Sequence, residues 1–193
     1  TKISYTYDDS AHDLVSSDGK YAYHATSTVD STGLVTTLTN TYEPKTTEAE
    51  VEKIWNDNNN FDKIRPATVQ VTLVADGTKI VTWQEGFQVS GAYVTGTDDL
   101  IDEAYIAQHI GEPVSFEIRQ DSQNRSKTKS WAADITGLPM KNNGRDIVYT
   151  WQETPLGNYY TSTRRDTTRR NGDDLFGYMT SITNKHEPEF VTT

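Results

Sequence analysis

The sequence predicts an all-β protein built as an antiparallel β-sandwich, and three observations support this fold class. Turn dipeptides recur along the 193 residues, and segments of alternating apolar and polar residues lie between them. Thr, Tyr and Trp are abundant, and these residues favour half-buried strands. Many short strands at regular spacing are typical of two antiparallel sheets packed face to face.

Four dipeptides predict tight hairpin turns: Asp18-Gly19, Asp76-Gly77, Asn143-Gly144 and Asn171-Gly172. Such pairs suit short hairpin loops because Asn, Asp and Gly accept a positive φ at low cost. Strands are predicted over the alternating segments at residues 3–7, 20–29, 33–42, 49–56, 68–75, 79–89, 114–120, 128–136, 146–154, 157–165 and 176–185.

One segment departs from the alternation and predicts a short helix within residues 97–111. Thr97 or Asp98 would cap its N-terminus, acidic residues occupy its first turn, and Gly111 would end it. Its inward face would hold Leu100, Ile101, Ala104, Tyr105 and Gln108. The simplest interpretation is a helical loop that covers part of the core.

Composition excludes several functional classes. Lys and Arg number 18 and Asp and Glu number 28, and the net charge of −10 argues against nucleic acid or a membrane as partner. Without cysteine there can be no disulfide scaffold, cysteine nucleophile or thiolate zinc site. The four histidines are scattered and no nucleotide-binding loop occurs, so we predict neither a cofactor nor a metal site.

Two charged clusters have competing interpretations. Residues 7–13 hold three aspartates and a histidine close enough to bind a cation, but they lack the glycine and spacing of a calcium loop. A solvated turn is the simpler interpretation. Residues 164–170 form the basic cluster RRDTTRR, which we interpret as an exposed hairpin arm. Binding of a polyanion such as a host glycosaminoglycan is the alternative.

Two similar strings predict the domain organisation: TTLTNTYEP at residues 36–44 and TSITNKHEP at residues 180–188. In each string a predicted strand contains an Asn near its end and is followed by Glu-Pro, which indicates that each string is the closing strand of a domain. We therefore predict that residues 1–45 are C-terminal strands of a second β domain, that residues 46–188 form the main domain, and that residues 189–193 are a linker. Extra strands on the main domain are the alternative for the first segment.

Three predicted strands each carry one polar residue on an apolar face: Lys53 in VEKIW, Glu153 in IVYTWQE and Asn184 in YMTSITN. A lysine or carboxylate among apolar neighbours is costly unless it is paired, and burial disfavours the charged form of both. If the three meet, a neutral Lys53 could attack the Asn184 carboxamide while Glu153 polarises it and transfers protons. The product would be an isopeptide bond, formed once with loss of ammonia.

The strand pattern alone leaves alternatives to this reaction. Lys53 and Glu153 could be an ordinary buried ion pair, with Asn184 as a turn residue. Three other acids could replace Glu153, but each lies on the wrong strand face in the predicted register: Glu52, Asp134 and Asp146.

The same motifs resemble the CnaB (collagen-adhesin B-type) domain of Gram-positive surface proteins and pilins. The resemblance covers residues 49–188 and includes VEKIWND, VTLVADG, the GLP turn, IVYTWQE and the closing ITN. It implies an immunoglobulin-like sandwich in which Lys53 and Asn184 are joined covalently and Glu153 is the catalyst. The chain departs from this family in an insertion at residues 78–112 and in Trp151-Gln152 within the YT…E strand.

Residues 1–45 resemble the end of a streptococcal pilin isopeptide-linkage domain. That resemblance implies that Asn40 is the acceptor of a second cross-link. Its lysine and acid partners are not recognisable in this chain, in which Lys2 and Lys20 are the only lysines before it.

These inferences predict a structural stalk or adhesin module of a Gram-positive surface protein or pilin rather than a turnover enzyme. The resemblance implies an extracellular, cell wall-anchored location, with the signal and anchor outside this chain and neighbouring domains as partners. In the alternative, the 78–112 insertion binds a host protein or glycan through four aromatic residues: Trp83, Phe87, Tyr93 and Tyr105. A hydrolase is poorly supported because no acid–base pair lies in a recognisable cleft motif.

Overall fold

Strands dominate the computed structural model, which describes residues 14–15, 22–42 and 44–188. The chain divides into two units between Lys45 and Thr46. The first holds a three-stranded antiparallel sheet in chain order: β1 (Leu14–Val15), β2 (Ala22–Val29) and β3 (Thr36–Tyr42). Asp30 shapes the β2–β3 connection, because its carboxylate accepts hydrogen bonds from the Leu34 and Val35 amides.

The described part of the second unit, residues 46–188, contains eleven strands and one helix. In chain order they are β4 (Thr46–Asn56), β5 (Thr68–Ala75), β6 (Lys79–Ile80), β7 (Gln88–Ser90), α1 (Glu103–Gln108), β8 (Ser115–Arg119), β9 (Ala132–Pro139), β10 (Lys141–Asn142), β11 (Arg145–Asp146), β12 (Tyr149–Glu153), β13 (Thr161–Asn171) and β14 (Asp174–Lys185). The all-β fold class is confirmed, and the 78–112 segment contains one short helix. No helix in the described ranges is long and apolar enough to cross a membrane.

Two sheets form the sandwich of the second unit. The first has the order β13-β14-β4-β9-β7, and the second has β5 between β12 on one side and β6 and β8 on the other. Every pair is antiparallel except β14 with β4, which run parallel along nine paired residues. The first and last long strands of this unit are therefore direct neighbours.

The inward-facing residues of both sheets make one core. Alternation along the strands places apolar side chains inside and polar ones outside. Residues that are at most 1% exposed come from both sheets: Val51, Ile135 and Ile182 from the first, and Val71, Leu73, Phe116 and Trp151 from the second.

The predicted hairpin at Asn143-Gly144 is confirmed. Asn142 pairs with Arg145, and the two loop residues have φ of 49° and 79°, the positive values such a turn needs. Asp76 and Gly77 also have positive φ, at the turn between β5 and β6. The Asp18-Gly19 turn, the strand at 3–7 and the 7–13 cluster lie outside the described residues.

The predicted strand at 79–89 is wrong, because only its two ends, β6 and β7, are strands. The chain between them pairs irregularly with the segment after the helix, since the Trp83 amide donates to the Glu112 carbonyl and the Gly111 amide donates to the Trp83 carbonyl. Gly86 then turns the backbone at a φ of 85°.

The helix is shorter than the prediction and starts later. Asp102, not Thr97 or Asp98, caps it by accepting a hydrogen bond from the Tyr105 amide at 2.8 Å. The preceding residues cannot be helical because the Ile101 amide donates to the Ala92 carbonyl, which closes the chain into a bridged loop. Leu100, Ala104 and Gln108, predicted to face inward, are exposed.

Gly91 fixes how closely this insertion approaches the sandwich. Its φ is +76°, and an added Cβ would lie 2.4 Å from the carbonyl oxygens of Gln123 and Ala132. We expect Gly91→Ala to lower the free energy of unfolding by about 3 kcal/mol or more, because the clash adds to the cost of the left-handed backbone. Gly157 has a φ of +83° but no neighbour within 4 Å, so Gly157→Ala should cost only about 1–2 kcal/mol. Equal midpoint shifts in urea unfolding would contradict this steric argument.

Candidate cross-link site

Three strands from the two sheets bring Lys53, Glu153 and Asn184 together. Lys53 on β4 and Asn184 on β14 lie in neighbouring strands, where Lys53 pairs with Ile182 and Asn184 pairs with Trp55. Both face the interior, at 4% and 1% exposure. Glu153 ends β12 in the opposite sheet and reaches them across the core.

One carboxylate oxygen connects the amine to the amide. Lys53 Nζ lies 3.1 Å from Glu153 Oε1, and Asn184 Nδ2 donates a hydrogen bond to the same oxygen at 3.2 Å. The Ser162 hydroxyl donates to the other oxygen, Oε2, at 3.1 Å. The side chains of Lys53 and Glu153 are 0% and 5% exposed, so these contacts lie out of solvent.

Burial makes Lys53 a weaker base than an ordinary lysine. Desolvation lowers its pKa to about 8, although the charge and hydrogen bond of Glu153 oppose the shift. A pKa near 8 leaves roughly a tenth of the amine neutral at pH 7. The neutral amine is the nucleophilic form.

Aromatic rings seal the site on the Lys53 side. Lys53 Nζ lies 4.5 Å from the centre of the Trp55 ring, and the edges of Trp131 and Tyr160 pack against that ring at 5.3 Å. The buried Asp57 carboxylate holds this cover in place by accepting hydrogen bonds from the Arg65 guanidinium and the Tyr160 hydroxyl.

The amide oxygen of Asn184 is an unsatisfied polar atom at the centre of the site. Oδ1 is buried and has no hydrogen-bond partner among the described residues. Such atoms are uncommon in folded proteins because each carries the cost of lost hydration. A donor is therefore missing at the atom that would gain negative charge if an amine attacked this amide.

The alternative acids all have other partners. Glu52 contacts Lys129 at 3.2 Å, Asp134 contacts Arg125 at 3.1 Å, and Asp146 forms an ion pair with Lys141. Glu153 is thus the acid that contacts Lys53.

The contact between Glu153 and Ser162 could not be predicted from the sequence. It depends on the register of β13 against β14, which places Ser162 opposite Asn184, and no local motif encodes that register.

Asn40 lies on β3, opposite Ala25, and is exposed. Lys2 and Lys20 lie outside the described residues. The role of Asn40 as the acceptor of a second cross-link therefore stays a prediction.

Two of the four aromatic residues predicted to contact a ligand are core residues, which corrects that prediction. Trp83 is 1% and Phe87 is 3% exposed, because the insertion folds back and adds both side chains to the sandwich core. Tyr93 and Tyr105 are half-buried. Arg119 covers the ring of Tyr93 at 3.8 Å, and Tyr105 stacks on His109.

The basic cluster is an exposed part of β13, but neighbouring acids neutralise much of it. Arg164 contacts Asp166 at 3.0 Å, and Arg169 contacts Glu48 at 2.6 Å and Glu50 at 3.1 Å. These ion pairs weaken the case for a polyanion site.

Comparison with known proteins gives a consistent picture. The sequence model of the Cna protein B-type domain matches residues 49–103 and 108–185, well over half of the chain and most of the 78–112 segment. The collagen adhesin of Staphylococcus aureus is 26% identical over an alignment 203 residues long, which covers 79% of this chain and 16% of that protein. The chain therefore spans about a sixth of this relative's length.

Two solved structures are similar to this chain with TM-scores below 0.5. A single B repeat unit of the S. aureus collagen-binding surface protein is 25% identical, with a TM-score of 0.43 over 87% of this chain and 64% of that one. The major pilin protein T3.2 of Streptococcus pyogenes is 15% identical, with a TM-score of 0.40 over 86% of this chain and 60% of the pilin.

Proposed function

Because the chain belongs to the family of Cna protein B-type domains, we propose that residues 46–188 form a structural module of an extracellular Gram-positive adhesin or pilin. An isopeptide bond between Lys53 and Asn184 stabilises this module, and Glu153 promotes its formation. Residues 1–45 belong to a preceding β domain, and neighbouring domains of the same surface protein are the module's partners.

The observation that carries the proposal is the shared contact of the amine and the amide with Glu153 Oε1, at 3.1 and 3.2 Å. The alternative interpretations do not account for this contact. An ordinary Lys53–Glu153 ion pair does not require an asparagine at the same oxygen, and an asparagine that only serves a turn does not require a contact with a carboxylate. In a desolvated pocket, transfer of a proton from Lys53 to Glu153 removes both charges and yields a neutral amine beside a neutral acid.

The unsatisfied Asn184 Oδ1 indicates how the reaction proceeds from this state. Rotation of the carboxamide by about 180° exchanges Oδ1 with Nδ2 and presents the oxygen to the protonated Glu153, which can then donate to it. Lys53 Nζ bonds to Asn184 Cγ, Glu153 gives its proton to Nδ2 and takes the surplus proton from Nζ, and the Cγ–Nδ2 bond breaks. Ammonia is the only product lost.

Intact mass spectrometry tests the proposal. The wild-type protein should be lighter than its sequence by about 17 Da, one ammonia, whereas Lys53→Met and Glu153→Gln should both have the full sequence mass. Lys129→Arg is the matched control at neutral pH, because Lys129 also contacts a carboxylate but its side chain is 34% exposed. A full sequence mass for the wild-type protein would rule out the cross-link.

Binding to a host extracellular protein is a second candidate function, supported by the collagen adhesin relative. In the 78–112 segment, Leu100 and Ile110 are 58% and 55% exposed and remain available for contact after Trp83 and Phe87 are assigned to the core. Binding of the protein to immobilised collagen, with Leu100→Asp as the comparison variant, tests this candidate separately from the mass measurement.

A further inference from the structure

A second lysine, carboxylate and asparagine meet on the outer face of the β4 sheet. Lys129 Nζ lies 3.3 Å from Glu50 Oε1, and Asn124 Nδ2 donates to the same oxygen at 2.9 Å. One carboxylate oxygen again lies between an amine and a carboxamide, as in the Lys53 site. Neither Lys129 nor Asn124 belongs to a recognised motif of the sequence.

The loop between β8 and β9 is shaped to hold this arrangement. The Lys127 amide donates to the Asn124 carbonyl at 2.7 Å, and a φ of 52° at Lys127 turns the chain back so that Lys129 returns to Glu50. Asn124 is 5% exposed and the Glu50 side chain is 6% exposed, so the amide and the carboxylate are both shielded from water.

This site also contains a donor that the Lys53 site lacks. The Ser126 hydroxyl donates to Asn124 Oδ1 at 2.7 Å. A hydroxyl in that position stabilises the negative charge that develops on the amide oxygen during attack at Cγ.

We propose that Lys129 and Asn124 form a second isopeptide bond in alkaline solution, with Glu50 as the proton shuttle. The Nζ–Cγ bond forms, the Cγ–Nδ2 bond breaks and ammonia leaves. Glu50 Oε1 takes a proton from the attacking nitrogen and delivers it to the departing one, and it already contacts both. Solvent removes the first proton from the Lys129 ammonium, so no other reactant is needed.

The charges around Lys129 restrict the reaction to high pH. Burial lowers the pKa of Lys129, but the hydrogen bonds and charges of Glu52 and Glu50 outweigh that effect and hold the pKa above its usual range. The charged groups that surround the pair are Glu48, Glu50 and Glu52 on β4, Arg169 on β13, Asp134 on β9 and Arg125 in the loop. At neutral pH the Lys129 amine is therefore protonated, and it forms ion pairs with Glu50 and Glu52 instead of reacting.

The test follows the intact mass of the folded protein during incubation at pH 7.5 and at about pH 10. At the higher pH we expect a further loss of about 17 Da that persists after return to neutral pH and maps, after proteolysis, to a link between residues 124 and 129. The rate should rise about tenfold per pH unit up to the pKa of Lys129, whereas formation of the Lys53 bond should level off above about pH 8. Deamidation at the Asn-Gly pairs is distinguished by the peptide map and by its end product, because its succinimide intermediate also lacks ammonia but hydrolyses in alkali to a product about 1 Da heavier than the asparagine form.

Three variants identify the site. Lys129→Arg keeps the ion pairs with Glu50 and Glu52 but cannot form an amide, so it should abolish the second loss. Ser126→Ala should slow it by roughly 10²–10³-fold. Glu153→Gln, which lacks the Lys53 bond, should still show the alkaline loss, so the two sites succeed or fail separately. Absence of a second loss in protein that circular dichroism shows to be folded at the higher pH, or a loss that survives Lys129→Arg, would overturn the proposal.

Discussion

Glu153→Gln is expected to lower the free energy of unfolding of the 46–188 unit by at least roughly 4–5 kcal/mol. A Lys53–Asn184 bond closes most of this unit into one loop, and losing it restores the conformational freedom of the unfolded chain. Lys53 would also keep its buried amine while losing the carboxylate 3.1 Å away, which adds a further penalty.

Urea unfolding separates these two contributions. Asn184→Ala cannot form the bond and loses the hydrogen bond to Glu153, but it keeps the Lys53–Glu153 ion pair, so it should be destabilised less than Glu153→Gln. Lys129→Arg should unfold like the wild-type protein at neutral pH. If Glu153→Gln and the wild-type protein unfold at the same urea concentration, the bond is not present in the native protein.

In the Asn184→Ala variant, the free energy of unfolding should rise by about 2–3 kcal/mol as the pH increases from 8 to 10. Lys53 has a pKa of about 8 in the folded protein and about 10.4 when unfolded. Below pH 8 both states are protonated at this residue. Between the two values the unfolded state binds more protons, so raising the pH favours the folded state.

Adding Lys53→Met to Asn184→Ala supplies the reference for this pH dependence. The double variant should show no such rise, and subtracting its curve removes other titrating groups, among them Tyr160, whose pKa burial raises to about 12. Parallel curves for the two variants would show that Lys53 is not the residue responsible.

The faces of the site strands could be predicted from the sequence because alternation is a local property. Lys53, Glu153 and Asn184 each sit at the inward position of a strand whose other inward residues are mostly apolar, and the structure places all three in contact. The parallel pairing of β14 with β4 could not be predicted from the sequence, because the pairing of two distant strands leaves no local pattern in either of them.

Which aromatic side chains of the 78–112 segment are exposed was harder to predict, for a related reason. Trp83 and Phe87 occupy irregular chain without alternation, so their sequence neighbours say nothing about which side faces the core. Their burial depends on a long-range bridge, in which the backbone of Trp83 pairs with residues 111 and 112. The second lysine–carboxylate–asparagine group was equally hidden, because Glu50 and Lys129 come from segments far apart in the chain.

The parallel pairing of β14 with β4 governs how far this part of the chain can lengthen under load. Tension applied at Thr46 and Lys185 pulls the two strands past each other along their axes, so the hydrogen bonds between them resist together rather than opening one after another. With the proposed bond in place, the chain between Lys53 and Asn184 is removed from the path of the force. Extension on the order of 400 Å would otherwise be available from that segment. A series of such units would act as a tether of nearly constant length, keeping whatever it carries at a set distance from its point of attachment.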